Sequence, residues 1–371
     1  MPGKIKTVAV LGAGHGGCAA AADLTARGFT VRLHARREAA LAPLRAAGGI
    51  TARGVQEGMF PIELMTTNVA EAIAGADIIM LVVPSVAHEY YAKALAPLID
   101  GSVPIFLNPG HTGGGLHFLN ELRLAGYRAP VKTGETVSLT YVTRMEGPAT
   151  VGIYSYIRSL RFAALPGCYA DEVFASVNTL YPETVKASSV LESALINMNA
   201  VFHPPGMILN AGWIQRTNGN FLFYKEGVTD AVGRVCQAVD KERLAVAKAL
   251  DVPARPFLDS FYAAGLTTQA ARDSGSIARA CEESEPNKTI RSPPSLDHRY
   301  VHEDVGYGLV PFAAFGQLAG VPTPAIDSLI RLASIATGID YATQGLTLRK
   351  MGLEGLNIEA LHRFIETGER T

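Results

Sequence analysis

The stretch TVAVLGAGHGGCAAAADLTAR, residues 7–27, decides the fold. An apolar run typical of a buried strand leads into a glycine-rich turn, and an alanine-rich helix follows. Gly12, Gly14 and Gly17 have the G-x-G-x-x-G spacing, with His15 between them. In this context the first glycine permits the tight turn, the second lets a pyrophosphate approach the backbone, and the third allows close packing of helix and strand. The stretch therefore predicts a dinucleotide site at the helix N-terminus, made by the three glycines and His15. A structural turn without a ligand is the alternative.

The end of the next predicted strand, Thr30–Arg36, indicates which dinucleotide binds. An NAD-binding protein usually carries an acidic residue there, about 20 residues beyond the glycines, to hold the ribose 2′-hydroxyl. This chain has Ala35 at that position, followed by Arg36 and Arg37. Since two guanidinium groups suit a 2′-phosphate, the sequence predicts NADP(H) as the preferred cofactor and NAD(H) as the alternative. The competing interpretation is that both arginines are solvated surface charge.

The rest of the first half alternates apolar runs with helical stretches, which predicts a parallel sheet covered on both faces. Pro84 and Ser85 end the run Ala76–Ser85 at the carboxyl edge of this sheet. Because ligands of such sheets bind at that edge, we expect both residues to line the nicotinamide ribose. Further strand-like runs are Val103–Gly110, Ala129–Val137 and Ala149–Ser155, and a helix is predicted over Asp171–Leu180.

Helical patterns dominate from residue 186 onward. The sequence thus predicts an α/β protein in which residues 1–185 form a Rossmann-type, doubly wound dinucleotide-binding domain. Residues 186–371 are predicted to form an all-α domain that carries substrate and catalytic groups, with a cleft between the domains. The predicted helices are Ser189–Phe202, Val228–Leu250, Leu309–Leu318, Pro324–Thr337 and Ile358–Thr367.

Composition excludes several classes of partner. Of 371 residues, 48% are hydrophobic and 18% charged, and the net charge of −1 gives no electrostatic reason to bind nucleic acid or an anionic membrane. The longest apolar run is too short to span a bilayer, and the early first strand leaves no room for a signal peptide. Four widely spaced cysteines suit a reducing compartment, so we expect a cytoplasmic protein. The oligomeric state stays open, with a homodimer as the assembly considered.

An ionisable ring lies within an apolar stretch, INMNAVFHPPGMILNAG, residues 196–212. Because a residue before proline is disfavoured in the α region, we expect the helix to end or kink at His203, before Pro204 and Pro205. The ring would then project into the cleft and act as a proton-transfer group. From this segment alone, a hydrogen-bonded core histidine is the stronger interpretation.

A second charged segment, LDHRYVHEDVGYGLVP, residues 296–311, places Arg299, His302, Glu303 and Asp304 close together. A solvated loop is the simplest interpretation. A metal site is disfavoured, because the three candidate ligands are consecutive and lack the usual ligand spacing. The sequence therefore predicts no metal.

Nearly the whole chain resembles the opine dehydrogenase family. The shared features are the N-terminal GAGHGG, VPSVAH (83–88), NPGHTGGG (108–115), GETVSLTY (134–141), NAVFHPPG (199–206) and RYVHEDVGYGLVP (299–311). The resemblance implies an NAD(P)H-dependent enzyme that joins an amino acid or amine to a 2-oxo acid, such as pyruvate, and reduces the imine. It further implies that His203 is the catalytic acid/base, Asp304 its carboxylate partner and Arg299 the group that binds a substrate carboxylate.

The same resemblance implies that Glu135 and Thr136 lie near the amino substrate, although Glu135 could equally cap a strand end. We expect Asp304 to fix the tautomer of His203 and to raise its pKa toward or above neutrality. Neutral His203 would deprotonate the amino acid's ammonium, and protonated His203 would assist the loss of water. Cofactor choice is not taken from the family, because relatives that prefer NAD carry the acid that Ala35 replaces.

Two alternatives remain. A two-domain 2-dehydropantoate, glycerol-3-phosphate or 2-hydroxyacid-type dehydrogenase would use a catalytic lysine with a nearby asparagine, and Lys186 has no asparagine within the next ten residues. A non-catalytic dinucleotide sensor would keep the glycines but would not need His203, Asp304 and Arg299. The amino and oxo substrates cannot be chosen from the sequence.

Overall fold

The computed structural model describes residues 5–370, which form two compact units. The first comprises the chain up to Ser193 together with the segment from His362 onward, and the second is Ala194–Leu361. The sequence had placed the boundary after residue 185 and given the whole remainder to the helical domain. The C-terminal segment returns to the first unit because the Arg123 guanidinium lies 5.4 Å from the Phe364 ring centroid and donates to the Gly368 carbonyl. The structure does not describe residues 1–4 or residue 371. Part of the prediction about the N-terminus therefore lies outside the described residues.

An eight-stranded sheet organises the first unit, in the order β12-β11-β8-β7-β6-β1-β2-β5. From β5 to β8 all neighbouring strands are parallel, and β11 is antiparallel to β8. The strand order reverses at β1, so the sheet is doubly wound and the predicted fold class is confirmed. The strands are β1 (Thr7–Leu11), β2 (Thr30–His34), β3 (Ile50–Gly54), β4 (Gly58–Phe60), β5 (Leu64–Thr66), β6 (Ile78–Leu81), β7 (Ile105–Leu107), β8 (Thr133–Thr136), β9 (Tyr141–Gly147), β10 (Thr150–Tyr156), β11 (Leu160–Leu165) and β12 (Thr184–Lys186).

A second sheet, of order β4-β3-β10-β9, was not predicted beyond the strand at Ala149–Ser155. The first helix, α1 (His15–Ala26), packs against strands of both sheets. Its four consecutive alanines, Ala19–Ala22, are fully buried, and their small size allows both sheets to approach the helix backbone closely. The other helices of this unit are α2 (Glu38–Ala46), α3 (Val69–Ile73), α4 (His88–Leu95), α5 (Gly114–Leu124) and α6 (Ala170–Leu180).

Helices make up the regular structure of the described residues in the second unit, as predicted. None of the helices in residues 5–370 has the length and apolarity needed to cross a membrane. The remaining helices, of which α7 and α18 run across the unit boundaries, are α7 (Val190–Leu195), α8 (Asn199–Ile208), α9 (Ala211–Thr217), α10 (Asp230–Ala249), α11 (Phe257–Ala263), α12 (Gln269–Asp273), α13 (Ile277–Glu282), α14 (Arg299–Asp304), α15 (Val310–Ala319), α16 (Pro324–Thr337), α17 (Tyr341–Gln344) and α18 (Ile358–Thr367).

We expected the helix to end or kink at His203, and it does not end there. Instead of one helix over Ser189–Phe202, the chain forms α7 and α8, and α8 continues through Pro204 and Pro205 to Ile208. The preference of a pre-proline residue for extended backbone is a tendency, and tertiary packing overrides it here. Residues Ala200–Met207 are buried, and α8 packs against α10, α14 and α16. His203 therefore lies in mid-helix.

Candidate active site

The glycine turn after β1 has the geometry that a bound pyrophosphate requires. Gly12 has φ +121°, and a Cβ there would lie 2.3 Å from the Val82 carbonyl oxygen. A Cβ on Gly17 would lie 1.7 Å from the Gly12 carbonyl oxygen, so only glycine allows α1 to start this close to β1. A Cβ on Gly14 would meet nothing within 4 Å, which leaves this exposed backbone open to a ligand. The turn therefore fits a dinucleotide.

The remaining predicted cofactor residues lie at the carboxyl edge of the same sheet. His15 is the exposed first residue of α1. Pro84 and Ser85 follow β6, with Pro84 exposed and Ser85 buried at the start of a 3₁₀ turn. These positions match the edge at which the strand order reverses, where ligands of doubly wound sheets bind.

The end of β2 presents cationic rather than acidic side chains. Ala35 is buried, whereas Arg36 and Arg37 are exposed. The Arg36 guanidinium lies 5.4 Å from the ring centroid of Tyr90, which holds the guanidinium over an aromatic face. The next acidic residue, Glu38, is paired with Arg45. The end of β2 thus carries exposed positive charge and no free carboxylate at the position of Ala35.

Glu135 on β8 is buried beneath the glycine-rich stretch Asn108–Gly115. One carboxylate oxygen accepts the Gly115 amide at 2.7 Å, and the other accepts the Ser193 hydroxyl. A Cβ on Gly110 would lie 2.3 Å from the same carboxylate, so the glycines allow the loop to pack directly on it. Burial raises the pKa of Glu135 to about 7, against the lowering effect of these two hydrogen bonds. An ammonium would have to share this carboxylate with both donors.

Thr136 follows Glu135 and is fully buried. Its hydroxyl has no hydrogen-bond partner among the described residues. Leaving a buried hydroxyl unsatisfied is costly, so this group is available to a water molecule or a ligand.

His203 and Asp304 meet in the second unit, although 101 positions separate them in the chain. The distance from His203 Nδ1 to Asp304 Oδ2 is 2.8 Å, and both side chains are buried. With the carboxylate on Nδ1, the neutral ring carries its hydrogen on Nδ1 and presents the lone pair of Nε2. The pair thus has the geometry of an oriented general base.

The expected rise in the pKa of His203 was wrong. Burial lowers the pKa of His203 below its usual value, and this effect outweighs the opposing influence of Asp304. The loss of hydration around this ring depends on how deeply the fold buries α8, which the sequence does not specify. His203 is therefore neutral near neutral pH, the form that accepts a proton.

Two tyrosines around His203 were not predicted. The Tyr224 hydroxyl lies 3.1 Å from Nε2, and the Tyr300 ring stacks on the imidazole with centroids 3.6 Å apart and planes 11° from parallel. Tyr224 belongs to a π-helical turn, Phe223–Gly227, and a second such turn, Val305–Leu309, begins directly after Asp304. Such turns are frequent at functional sites. No periodicity or motif in the sequence marks Tyr224, whereas Tyr300 lies inside RYVHED, the segment that drew attention to Asp304.

Arg299 opens α14, the helix that also carries Asp304. Its side chain is 60% exposed, and its Nη2 pairs with Glu303 Oε2 at 3.0 Å. The helix N-terminus is fixed by His298, whose Nδ1 accepts the Tyr300 amide at 3.2 Å. Arg299 thus has an exposed, positively charged side chain on a helix whose N-terminus is fixed by a hydrogen bond. His302 is directed elsewhere, toward Asp297 and the Tyr341 hydroxyl.

The geometry weakens the lysine-dependent alternative. Lys186, the lysine that a rival reductase would need, lies on β12, pairs with Asp171 and stacks over the Phe174 ring. Within residues 5–370, no cluster of three or more His, Cys, Asp or Glu side chains is placed to hold a metal ion.

Together, a Rossmann-type unit with a dinucleotide turn and a helical unit with a buried His–Asp pair define a nicotinamide-dependent dehydrogenase. Comparison with known proteins is more specific. Residues 186–337 match the family described as NAD/NADP octopine/nopaline dehydrogenase, alpha-helical domain. Residues 7–120 match the NAD-dependent glycerol-3-phosphate dehydrogenase N-terminus.

Individual relatives cover nearly the whole chain. An opine dehydrogenase of Arthrobacter sp. (strain 1C) is 35% identical over 97% of this chain and 99% of its own. The structure of octopine dehydrogenase with NADH and L-arginine aligns with a TM-score of 0.79 at 22% identity, covering 99% of both chains. NADP⁺-bound yersinopine dehydrogenase aligns with a TM-score of 0.73 at 17% identity, covering 99% of both chains. The chain therefore belongs to the opine dehydrogenase family, the NAD(P)-dependent oxidoreductases that act on the CH–NH group.

Proposed function

We propose that this opine dehydrogenase joins the amino group of an amino acid or amine to a 2-oxo acid, with His203 as the acid–base group. The observation that carries the proposal is the buried 2.8 Å hydrogen bond between His203 Nδ1 and Asp304 Oδ2. It fixes the neutral tautomer and places the basic lone pair on Nε2.

One proton passes through His203 twice. The substrate ammonium first gives a proton to neutral His203, and the free amine attacks the carbonyl carbon of the oxo acid. After a proton shift within the adduct, the carbinolamine hydroxyl takes the proton back from His203 and leaves as water, which forms an iminium. A bound NAD(P)H supplies the hydride that reduces this iminium to the secondary amine. His203 ends neutral, and Asp304 remains a carboxylate throughout.

Arg299 is proposed to bind the substrate carboxylate. Its side chain is more than half exposed and lies on the same short helix as Asp304. A guanidinium can hold a carboxylate through two parallel hydrogen bonds, which fixes the orientation of the adjoining carbonyl group. Glu135 and Thr136 remain the proposed neighbours of the amino substrate, with the Thr136 hydroxyl as the group free to bind it.

NADPH is proposed as the preferred reductant. Ala35 leaves no carboxylate to bind a ribose 2′-hydroxyl, and the exposed Arg36 and Arg37 supply charge for a 2′-phosphate. Gly12, Gly14 and Gly17 would hold the pyrophosphate, and Pro84 and Ser85 would line the nicotinamide ribose.

The free thiols of the described chain support the proposed location in the reducing cytoplasm.

The test is a screen of amino acids and amines against pyruvate and longer 2-oxo acids, with oxidation of each reduced cofactor measured by absorbance. We expect oxidation that requires both an amine and an oxo acid, and a fall in kcat of at least about 100-fold in His203→Gln. Oxidation with an oxo acid alone would favour the 2-hydroxyacid-type alternative. Unchanged amine-dependent turnover in His203→Gln would refute the acid–base assignment.

A further inference from the structure

Both ring nitrogens of His203 already have partners inside the second unit. Asp304 accepts from Nδ1 at 2.8 Å, and the Tyr224 hydroxyl lies 3.1 Å from Nε2. Nε2 is the nitrogen that must exchange a proton with the substrate. A substrate therefore either displaces Tyr224 or exchanges its proton through the phenol.

Tyr224 is too firmly held to be displaced easily. It is 5% exposed, and its ring lies against Phe202 and Phe223 at centroid distances of 5.5 and 5.2 Å. The π-helical turn that carries it is fixed at its start by the 2.9 Å hydrogen bond from the Phe223 amide to the Ile290 carbonyl. Burial raises the pKa of Tyr224 well above its ordinary value, so the group stays a phenol that donates to neutral His203.

A second phenol continues the chain outward. The Tyr300 hydroxyl is hydrogen-bonded to Tyr224, and its ring covers one face of His203. Whereas His203, Asp304 and Tyr224 are buried, Tyr300 is only partly buried. Tyr300 is thus the most exposed member of the hydrogen-bonded series that runs from Asp304 through His203 and Tyr224.

We propose that Tyr224 relays the proton between Nε2 of His203 and the substrate, with Tyr300 as the outer hydroxyl of the relay. This inference rests on the proposed acid–base role of His203. As the ammonium loses its proton, Tyr300 oxygen takes that proton and passes its own to Tyr224, which passes its own to Nε2. Each phenol is regenerated, and His203 becomes the imidazolium. In the dehydration step the three transfers run in reverse, and the carbinolamine hydroxyl leaves as water.

The experiment compares Tyr224→Phe and Tyr300→Phe with Tyr262→Phe in the full-length enzyme. Each exchange removes a single hydroxyl and keeps the ring, and Tyr262 is a surface tyrosine, 38% exposed, that serves as the matched control. We expect kcat to fall by at least about 100-fold in the two relay variants, with KM for the amine and the oxo acid within about threefold of the wild type. Tyr262→Phe is expected to be indistinguishable from the wild type.

The second readout is the dependence of kcat on the deuterium fraction of the solvent. A relay moves several protons together, so the wild-type plot should be curved, and it should become straight in Tyr224→Phe. The relay is overturned if the wild-type plot is straight. It is also overturned if Tyr224→Phe keeps the wild-type curvature or the wild-type kcat. His203→Gln, measured in parallel, separates the two hypotheses. If His203→Gln loses activity while Tyr224→Phe keeps it, only the relay is refuted. If His203→Gln keeps its activity, the acid–base role of His203 is refuted.

Discussion

Exchange of the buried Glu135 for glutamine should change the pH dependence of stability. The folded side chain has a pKa of about 7, against 4.5 for the solvated group. Between these values the unfolded chain releases the proton first, so wild-type stability falls as the pH rises and then stays level above the folded pKa. The shift of about 2.5 pH units corresponds to about 3 kcal/mol, of which about 2.5 kcal/mol develops between about pH 5 and pH 8.

Glu135→Gln lacks this titration but keeps the shape of the protonated acid. Its amide oxygen can accept the Gly115 amide, and its NH₂ group can donate to the Ser193 hydroxyl oxygen. The free energy of unfolding of the variant, minus that of the wild type, should therefore rise by about 2.5 kcal/mol from about pH 5 to pH 8.

Urea unfolding followed by far-ultraviolet circular dichroism measures this difference. Tryptophan fluorescence is unsuitable because the single tryptophan, Trp213, lies in the second unit. The same exchange at the exposed Glu63 in the first unit is the matched control, since no burial penalty applies there. If the difference for Glu135→Gln stays constant across this range, burial does not raise the pKa of Glu135 in the folded protein.

Three further predictions follow from the same geometry. Gly17→Ala should fail to fold or to bind NADPH, because its Cβ would lie 1.7 Å from a backbone oxygen, whereas Gly14→Ala should keep its circular dichroism spectrum and lose at least about tenfold in NADPH affinity by fluorescence titration. Arg36→Ala should raise KM for NADPH by about tenfold or more and leave KM for NADH unchanged in steady-state assays, since only the 2′-phosphate uses the charge. Asp304→Asn should lower the pKa of His203 further and move the acidic limb of the kcat/KM profile to lower pH, with kcat falling about 100-fold; a limb that moves to higher pH would contradict this.

The parts predicted correctly from the sequence are those that local patterns specify. The strand, glycine turn and helix at residues 7–27 carry their geometry in consecutive residues, and the structure reproduces it. The second sheet depends on non-local pairing, in which Thr51 of β3 aligns with Thr150 of β10. The strands β3 and β4 are short, contain glycine and give no periodic signal. Strand β9 does alternate exposed residues with buried or partly buried ones, which is the pattern typical of a half-buried strand.

The same contrast between local patterns and non-local contacts applies to the candidate site. His203 and Asp304 were paired through a family resemblance, because no local rule connects residues 101 positions apart. Of the predicted end or kink at His203, the end is absent, because burial of both prolines outweighs the local preference. Tyr224 has no signal in the sequence, since its role depends only on which side chain lies beside it in the fold.

Burial and Asp304 shift the pKa of His203 in opposite directions, which suits the proposed role of a group that takes and returns a proton. If Asp304 acted on a solvated ring, the imidazole would be charged before the ammonium arrived and would have no lone pair to offer. If the ring were buried without Asp304, the imidazolium needed for dehydration would be too costly to form. Acid–base catalysis is most efficient when the pKa lies near the working pH, and burial and carboxylate must therefore be balanced against each other. The helix that places His203 in the core and the separate helix that carries Asp304 supply the two contributions independently, so each can be altered without removing the other.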